Sequence, residues 1–324
     1  MIDILLATYN GEKYIDKQLK SLLTQDRDGL GEELRLVIRD DGSTDRTMQI
    51  INWRLDYYRN RRKDLMPVKI VETGTPTGSA SGNFLELLSC TSADYVMFSD
   101  QDDMWYRRKV KVTLTKMKAL ETKYGKDMPL LVHTDLALMD DEGRKIADSF
   151  YDYQKLPKSD HLKNLLIQNT VTGCTVMINR AAAKLLQKAP SSEMCLMYDH
   201  YAAVLVAATG KISFVDDTPI RYRQHSGNVV GAHAAGSADE YLARFGKGRK
   251  QFLEDMDNSY RQAGYILKRY ENVIREAHGE ETVTLLREYS NLLMATKLER
   301  MEFFQKHDIY KNGALKKAIQ LLWC

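Results

Sequence analysis

Four short apolar runs occupy residues 1–105, and each ends at a polar turn or an acidic loop. They are Ile2 to Ala7, Leu34 to Ile38, Val68 to Val71 and Tyr95 to Phe98. All are too short for helices, and their continuous apolarity suits strands buried on both faces. After the break at Asn10-Gly11, Tyr14, Leu19, Leu22 and Leu23 recur at helical spacing. After the second run, Thr44-Asp45 can cap a helix carrying Met48, Ile50, Ile51 and Leu55. After the third, loop 73–82 holds three glycines and Pro76, and a helix over Asn83 to Ser89 follows. Strands alternating with helices through short links predict an open α/β sheet with parallel strands. Such sheets bind ligands beyond the carboxyl ends of their strands. Three polar clusters fall at such ends: Thr8 to Asn10, Asp40 to Asp45 and Asp100 to Asp103.

Beyond residue 105 the pattern changes. Leu130 to Thr134, Val176 to Ile178 and Lys211 to Val215 read as strands, and Ala181 to Lys188 and Tyr198 to Ala208 as helices. From about Ala238 there is no proline, and Leu253, Met256, Tyr260 and Leu267 predict helices to the last residue. Residues 244–324 carry 15 Lys/Arg against 11 Asp/Glu, a net charge of +4. The whole chain of 324 residues is only +3, too little for a general nucleic-acid binder. A hydrophobic fraction of 44% excludes a chain disordered throughout. The first apolar run contains Asp3 and follows no basic leader, so neither a signal peptide nor a membrane span is expected. Cys90, Cys174, Cys195 and Cys324 lie far apart without a C-x-x-C pair. Reduced thiols in a cytoplasmic protein are therefore expected, not a zinc site or a disulfide frame.

The acidic run Ser99-Asp100-Gln101-Asp102-Asp103-Met104-Trp105 carries the strongest chemical signal. Three carboxylates directly after a buried strand repel one another unless a cation neutralises them. Mg²⁺ and Mn²⁺ prefer oxygen ligands and commonly bridge carboxylate and phosphate oxygens, which points to a metal–diphosphate site. The other reading is a solvated acidic turn before a helix. Arg39-Asp40-Asp41-Gly42-Ser43-Thr44-Asp45 likewise reads as acids accepting from a nucleobase or ribose, or as a plain turn and helix cap.

Together with Ala7-Thr8-Tyr9-Asn10-Gly11, these two motifs resemble glycosyltransferase family 2, the inverting enzymes of GT-A fold. The acidic run is similar to the family's Asp-X-Asp motif in its bacterial rhamnosyltransferase-like form. The resemblance continues through Gly173-Cys174, Tyr198-Asp199-His200 and Tyr222-Arg223-Gln224-His225, and covers about residues 1–232. It implies an α/β GT-A catalytic domain over 1–235, with a nucleotide-sugar half (1–105), an acceptor half with a mixed sheet (106–235), and a helical extension over 236–324.

The resemblance also implies roles. Thr8, Tyr9 and Asp40 would line the nucleobase pocket with Asp41 nearby, and Asn10 and Gln101 belong to the same donor set. Asp100 would touch the ribose or sugar side. Asp102 would hold Mn²⁺ or Mg²⁺ with His225, and Arg223 would contact the diphosphate. Asp103, Trp105, Gly173, Cys174 and His200 would face the sugar or the acceptor, and Asp199 would be the general base. An inverting transfer needs that one base and a stabilised leaving group, without a glycosyl intermediate. The implied donor is dTDP-L-rhamnose first, then a UDP-hexose or UDP-galactofuranose, with a surface polysaccharide or polyprenyl-linked glycan as acceptor. A nucleotidyltransferase fits less well, because residues 8–13 hold one glycine and no phosphate loop. A non-catalytic nucleotide-sugar scaffold is the non-enzyme alternative. The lysines and apolar residues of Leu315 to Trp323 suit either the inner face of a plasma membrane or packing in a homodimer.

Overall fold

The computed structural model describes residues 1–72, 74–158, 160–189, 197–225 and 238–324, the last with side chains from residue 248. The expected domain junction at residues 235/236 and Cys195 lie outside the described residues.

The first half alternates as expected. Strand β1 (Ile2–Thr8) leads to helix α1 (Ile15–Leu23), β2 (Leu34–Asp40) to α2 (Thr47–Arg59), and β3 (Val68–Ile70) to α3 (Ala80–Ser89). β4 (Tyr95–Ser99) ends at the acidic run, which passes through β5 (Met104–Trp105) into α4 (Lys109–Tyr124). The middle holds β6 (Leu130–Thr134), β7 (Ala137–Met139), β8 (Lys145–Ala147), α5 (Phe150–Gln154), α6 (Leu162–Ile167), β9 (Met177–Asn179) and α7 (Arg180–Leu186). It continues through α8 (Tyr198–Thr209), β10 (Lys211–Val215) and β11 (Ile220–Arg223). The C-terminal part is helical: α9 (Ala238–Asn291), interrupted by non-helical backbone at Gly248, Tyr270 and Gly279, then α10 (Lys297–His307) and α11 (Ala314–Trp323).

A seven-stranded sheet runs β10-β6-β9-β4-β1-β2-β3. β1 pairs parallel with both β2 and β4, and β2 with β3. β9 is antiparallel to β4 and β6, so the sheet is mixed beyond β4. β1 and β4 are central, and Ile2, Ile4, Leu5, Leu6, Val96 and Met97 are all fully buried. The lone acid in β1, Asp3, is buried too, against a two-pronged ion pair from Arg35 at 2.8 and 2.7 Å. α1 buries Ile15, Leu19, Leu22 and Leu23, the i, i+4, i+7, i+8 stripe of a helix packed on a sheet. A second, four-stranded sheet, β5-β11-β7-β8, has no counterpart in the sequence reading.

Two compact units emerge, and they are not consecutive in the chain. One comprises Met1–Phe150, Thr172–Ala189 and Ser213–Gly231; the other comprises Tyr151–Val171, Pro190–Ile212 and Ala232–Cys324. The first contains most of both sheets. In the second, the helical tail forms its own core around Tyr260, Tyr289, Leu286 and Ile274. There the Tyr289 hydroxyl donates to the Leu166 carbonyl at 2.8 Å. Among the described residues, no helix is long and apolar enough to cross a membrane.

Candidate active site

Because β1 lies between β2 and β4, the three polar clusters share one edge of the sheet. Thr8 pairs with Asp40 across β1 and β2, and Leu6 with Ser99 across β1 and β4. The loops there are tied to one another. Thr8 Oγ1 and Ser43 Oγ donate to Asp40 Oδ1 at 2.8 and 2.6 Å, and Ser43 N–H to Asp40 Oδ2 at 2.7 Å. Asn10 sits at φ +46°; its N–H donates to Ser43 Oγ and its Oδ1 accepts from Thr44 N–H, both at 2.8 Å. Asp41 pairs with Arg39 at 2.6 Å and accepts from Thr77 N–H, Thr77 Oγ1 and Gly78 N–H. Burial pushes its pKa up, but these donors outweigh burial and hold it below the ordinary carboxylate range. Asp40 and Asp41, expected to line the nucleobase pocket, both lie at this edge of the sheet. Both are buried, and their oxygens shape the loops at residues 42–43 and 77–78. Loop 74–82 is thus tied to β2 through Asp41. Gly42 lies at φ +87°, and a Cβ there would meet Pro76 Cγ at 3.0 Å.

The Tyr9 ring, 56% exposed, projects from this edge. Gln101 clamps its backbone: Tyr9 N–H donates to Gln101 Oε1, and Gln101 Nε2 to the Tyr9 carbonyl, both at 2.9 Å. A Cβ on Gly11 would fall 2.2 Å from Gln101 Oε1, so a side chain there would displace the clamp. Gln101 therefore acts on Tyr9, the residue expected at the base.

The acidic run divides into two environments. Asp102 is 17% exposed and its Oδ2 lies 2.8 Å from His225 Nε2, on an imidazole equally exposed. Asp103 is fully buried; its Oδ1 accepts from Arg223 N–H at 3.1 Å, and among the described residues Oδ2 has no N–H or O–H donor. Burial first, then the charges of Asp102 and Asp100, push its pKa well up. The Arg223 side chain is spent inside the protein. Nε donates to the Asp102 carbonyl at 2.8 Å, and Nη1 to the carbonyls of Asp140 and Asp141 at 3.1 and 2.8 Å.

Five more residues expected at the donor, the sugar or the acceptor are buried. Arg223, expected at the diphosphate, staples the acidic loop to the β7–β8 turn and is buried. Trp105 is buried because β5 pairs with β11, opposite Ile220. Gly173 and Cys174 are buried in a short 3₁₀ turn, and burial raises the Cys174 thiol well above its usual range. The carbonyl of Thr175 in that turn accepts at 2.7 Å from Lys109, a fully buried amine that burial pushes down to about 7. His200, in the second unit, is buried with Nε2 2.7 Å from the Leu165 carbonyl, and burial lowers its pKa. Asp199 is partly exposed in the first turn of α8, and its Oδ1 accepts from Asn169 Nδ2 at 3.2 Å and His200 N–H at 2.6 Å.

Asp102 and His225 fit a divalent cation. Their 2.8 Å separation is near the roughly 3 Å edge of an octahedron with ~2.1 Å bonds, and an oxygen–imidazole pair suits Mn²⁺. Asp100, Asp103 and Cys174 also bring ligand-type atoms within 4.8 Å of one another. That cluster fits a hard cation less well, since one of its three ligand atoms is a thiol sulfur. Tyr14, Asp141 and Asn169, which contact site residues, escaped the sequence reading. Tyr14 read as an apolar helix position, and the other two sit in loops without a motif.

Residues 3–126 match the model of glycosyl transferase family 2. The dTDP-rhamnosyl transferase RfbG of Shigella flexneri is 26% identical over 239 residues, 70% of this chain and 74% of that protein. An uncharacterized glycosyltransferase of Haemophilus influenzae is 30% identical over 187 residues, 58% of this chain and 65% of that protein. Among solved structures, Staphylococcus aureus TarS 1–349 in complex with UDP-GlcNAc superposes with a TM-score of 0.55 at 19% identity, covering 99% of this chain and 78% of that one. A mixed sheet with its polar edge at β2-β1-β4, and sequence relatives that are themselves glycosyltransferases, lead to one assignment: residues 3–126 form a glycosyl transferase family 2 domain, and the chain is a glycosyltransferase of GT-A fold.

Proposed function

We propose that the chain is an inverting, metal-dependent transferase that moves L-rhamnose from dTDP-L-rhamnose onto a bacterial surface polysaccharide or polyprenyl-linked glycan. The observation that carries the metal-dependent reading is the Asp102–His225 pair just beyond the carboxyl end of β4. The similarity to RfbG over 70% of the chain supports the choice of donor. The exposed Tyr9 ring offers a face for the nucleobase, with Gln101 fixing its backbone. Asp102 and His225 would hold Mn²⁺ or Mg²⁺, which supplies charge neutralisation to the departing nucleoside diphosphate. Asp199 takes the proton of the acceptor hydroxyl as that oxygen attacks the anomeric carbon and the bond to the diphosphate breaks. Calorimetry with dTDP-L-rhamnose, UDP-glucose and UDP-galactose, each with and without Mn²⁺, tests the reading. Binding of dTDP-L-rhamnose that needs the cation is expected. Preference for a UDP-sugar would replace the donor, and binding indifferent to metal would remove the cation from the scheme.

The helical tail supports work at an anionic membrane surface, on the inner face of the plasma membrane. Met294, Leu298 and Leu322 are 88%, 71% and 66% exposed. Lys297 Nζ donates to the Leu322 carbonyl at 2.7 Å, which brings the start of α10 beside the end of α11. Apolar tips among lysines suit a lipid headgroup layer. The double variant Leu298→Glu with Leu322→Glu is expected to weaken binding to phosphatidylglycerol vesicles about tenfold, with donor affinity unchanged. A changed sedimentation mass with no vesicle binding in either protein would assign this face to a homodimer instead.

A further inference from the structure

The ring of Tyr14 collects three nitrogen-bearing side chains. The His225 imidazole stacks on it with centroids 5.0 Å apart at 29°. The Arg223 guanidinium lies 4.8 Å and Lys13 Nζ 5.1 Å from its centroid. The Tyr14 hydroxyl donates to Asp141 Oδ1 in a very short hydrogen bond, and Lys13 Nζ contacts Asp141 Oδ2 at 2.5 Å. Asp141 belongs to the β7–β8 turn, which Arg223 holds through the carbonyls of Asp140 and Asp141. A chain of contacts therefore runs from a stapled turn to Asp141, to Tyr14, to His225 and to Asp102.

His225 needs such support. It stands two residues past β11, where its neighbour Gln224 makes one further backbone bond to Met139 at 2.8 Å. An imidazole there can rotate about both side-chain torsions unless a surface stops it. The Tyr14 face is such a surface, and a stacked ring turns only in its own plane. The hydroxyl bond to Asp141 in turn fixes where the Tyr14 face lies.

We propose that Tyr14, anchored by Asp141, is a positioning residue that fixes the His225 imidazole against Asp102 and thereby sets cation affinity at the donor site. The proposal rests on the reading that Asp102 and His225 hold the donor's cation. Residues that orient a ligand without touching the metal typically change affinity by 10–100-fold. Tyr14→Leu removes the aromatic face, Tyr14→Phe keeps it and removes the hydroxyl, and Asp141→Asn weakens the anchor on a half-exposed carboxylate.

Two readouts test this on the full chain. The first is Mn²⁺ binding by calorimetry with UDP or dTDP present. The second is the NMR signature of the His225 ring, assigned by its loss in a His225→Asn variant and observed without metal. Tyr14→Leu is expected to weaken Mn²⁺ binding about tenfold or more and to shift or broaden the His225 resonances, while Tyr14→Phe stays within about threefold of wild type. Folded Tyr14→Leu with unchanged affinity and unchanged resonances would overturn the proposal. So would equal losses in the Phe and Leu variants, because the aromatic face would then not be the device. If wild-type protein binds no Mn²⁺ with either nucleotide, the donor-site reading fails, and the His225 resonances decide the positioning role alone. Should Tyr14→Leu not fold, Tyr14→Met, which also removes the aromatic face, must move those resonances for the proposal to stand.

Discussion

Replacing Asp102 by Asn is expected to lower sugar transfer on the order of 10³-fold while leaving the folded structure unchanged. The carboxylate is partly exposed and, among the described residues, its one close side-chain partner is His225, so its loss breaks no buried ion pair there. The structural work at this position is done by the backbone: the Asp102 carbonyl accepts from Arg223 Nε, and Asn keeps that carbonyl. What Asn lacks is the negative charge that holds a divalent cation against a diphosphate. Turnover measured across a Mn²⁺ titration, beside a thermal melt, separates the two contributions. A melt within a few degrees of wild type with transfer lost at every Mn²⁺ concentration is the expected pair of results. Activity near wild type would remove Asp102 from the site and leave the acidic run as a helix-capping turn.

The frame of this site was legible from sequence because local signals determine it. Continuous apolar runs gave β1, β2 and β4 nearly to the residue, and parallel connections brought their polar ends together. What each polar side chain does at that edge was not legible, because its partner is distant in the chain. An acid at a strand end looks the same whether it faces a ligand or its own loop. Asp41 turns inward because Thr77 and Gly78, 36 and 37 residues on, donate to it. Arg223 looked like a diphosphate contact by charge, yet its donors go to carbonyls more than 80 residues earlier. Trp105 and Cys174 followed the same course. The small sheet that buries Trp105 has strands of two to four residues, too short to show a period of two. Tyr14 fitted the apolar stripe of α1 and gave no sign that its ring would carry a histidine instead.

Asp199→Asn tests the other half of the chemistry, and the substitution separates catalysis from folding. The site of Asp199 has a structural use: it stands in the first turn of α8 and its Oδ1 accepts from His200 N–H and Asn169 Nδ2. Asn serves those hydrogen bonds through its own carbonyl oxygen, and Asn and Asp are about equally good at helix N-termini. A residue needed only to start α8 would therefore tolerate the change with turnover intact. A general base would not, because an amide cannot take a proton from the acceptor hydroxyl. The expected result is a fall in kcat of about 10²–10⁴-fold, with the calorimetric affinity for donor and Mn²⁺ within error of wild type. The contrast with Asp102 is then complete: one carboxylate removed costs cation binding, the other costs only the chemical step. Loss of donor affinity in Asp199→Asn would count against the base and in favour of a residue that supports the fold around α8. Unchanged kcat would return the search for a base to the other acids of the chain.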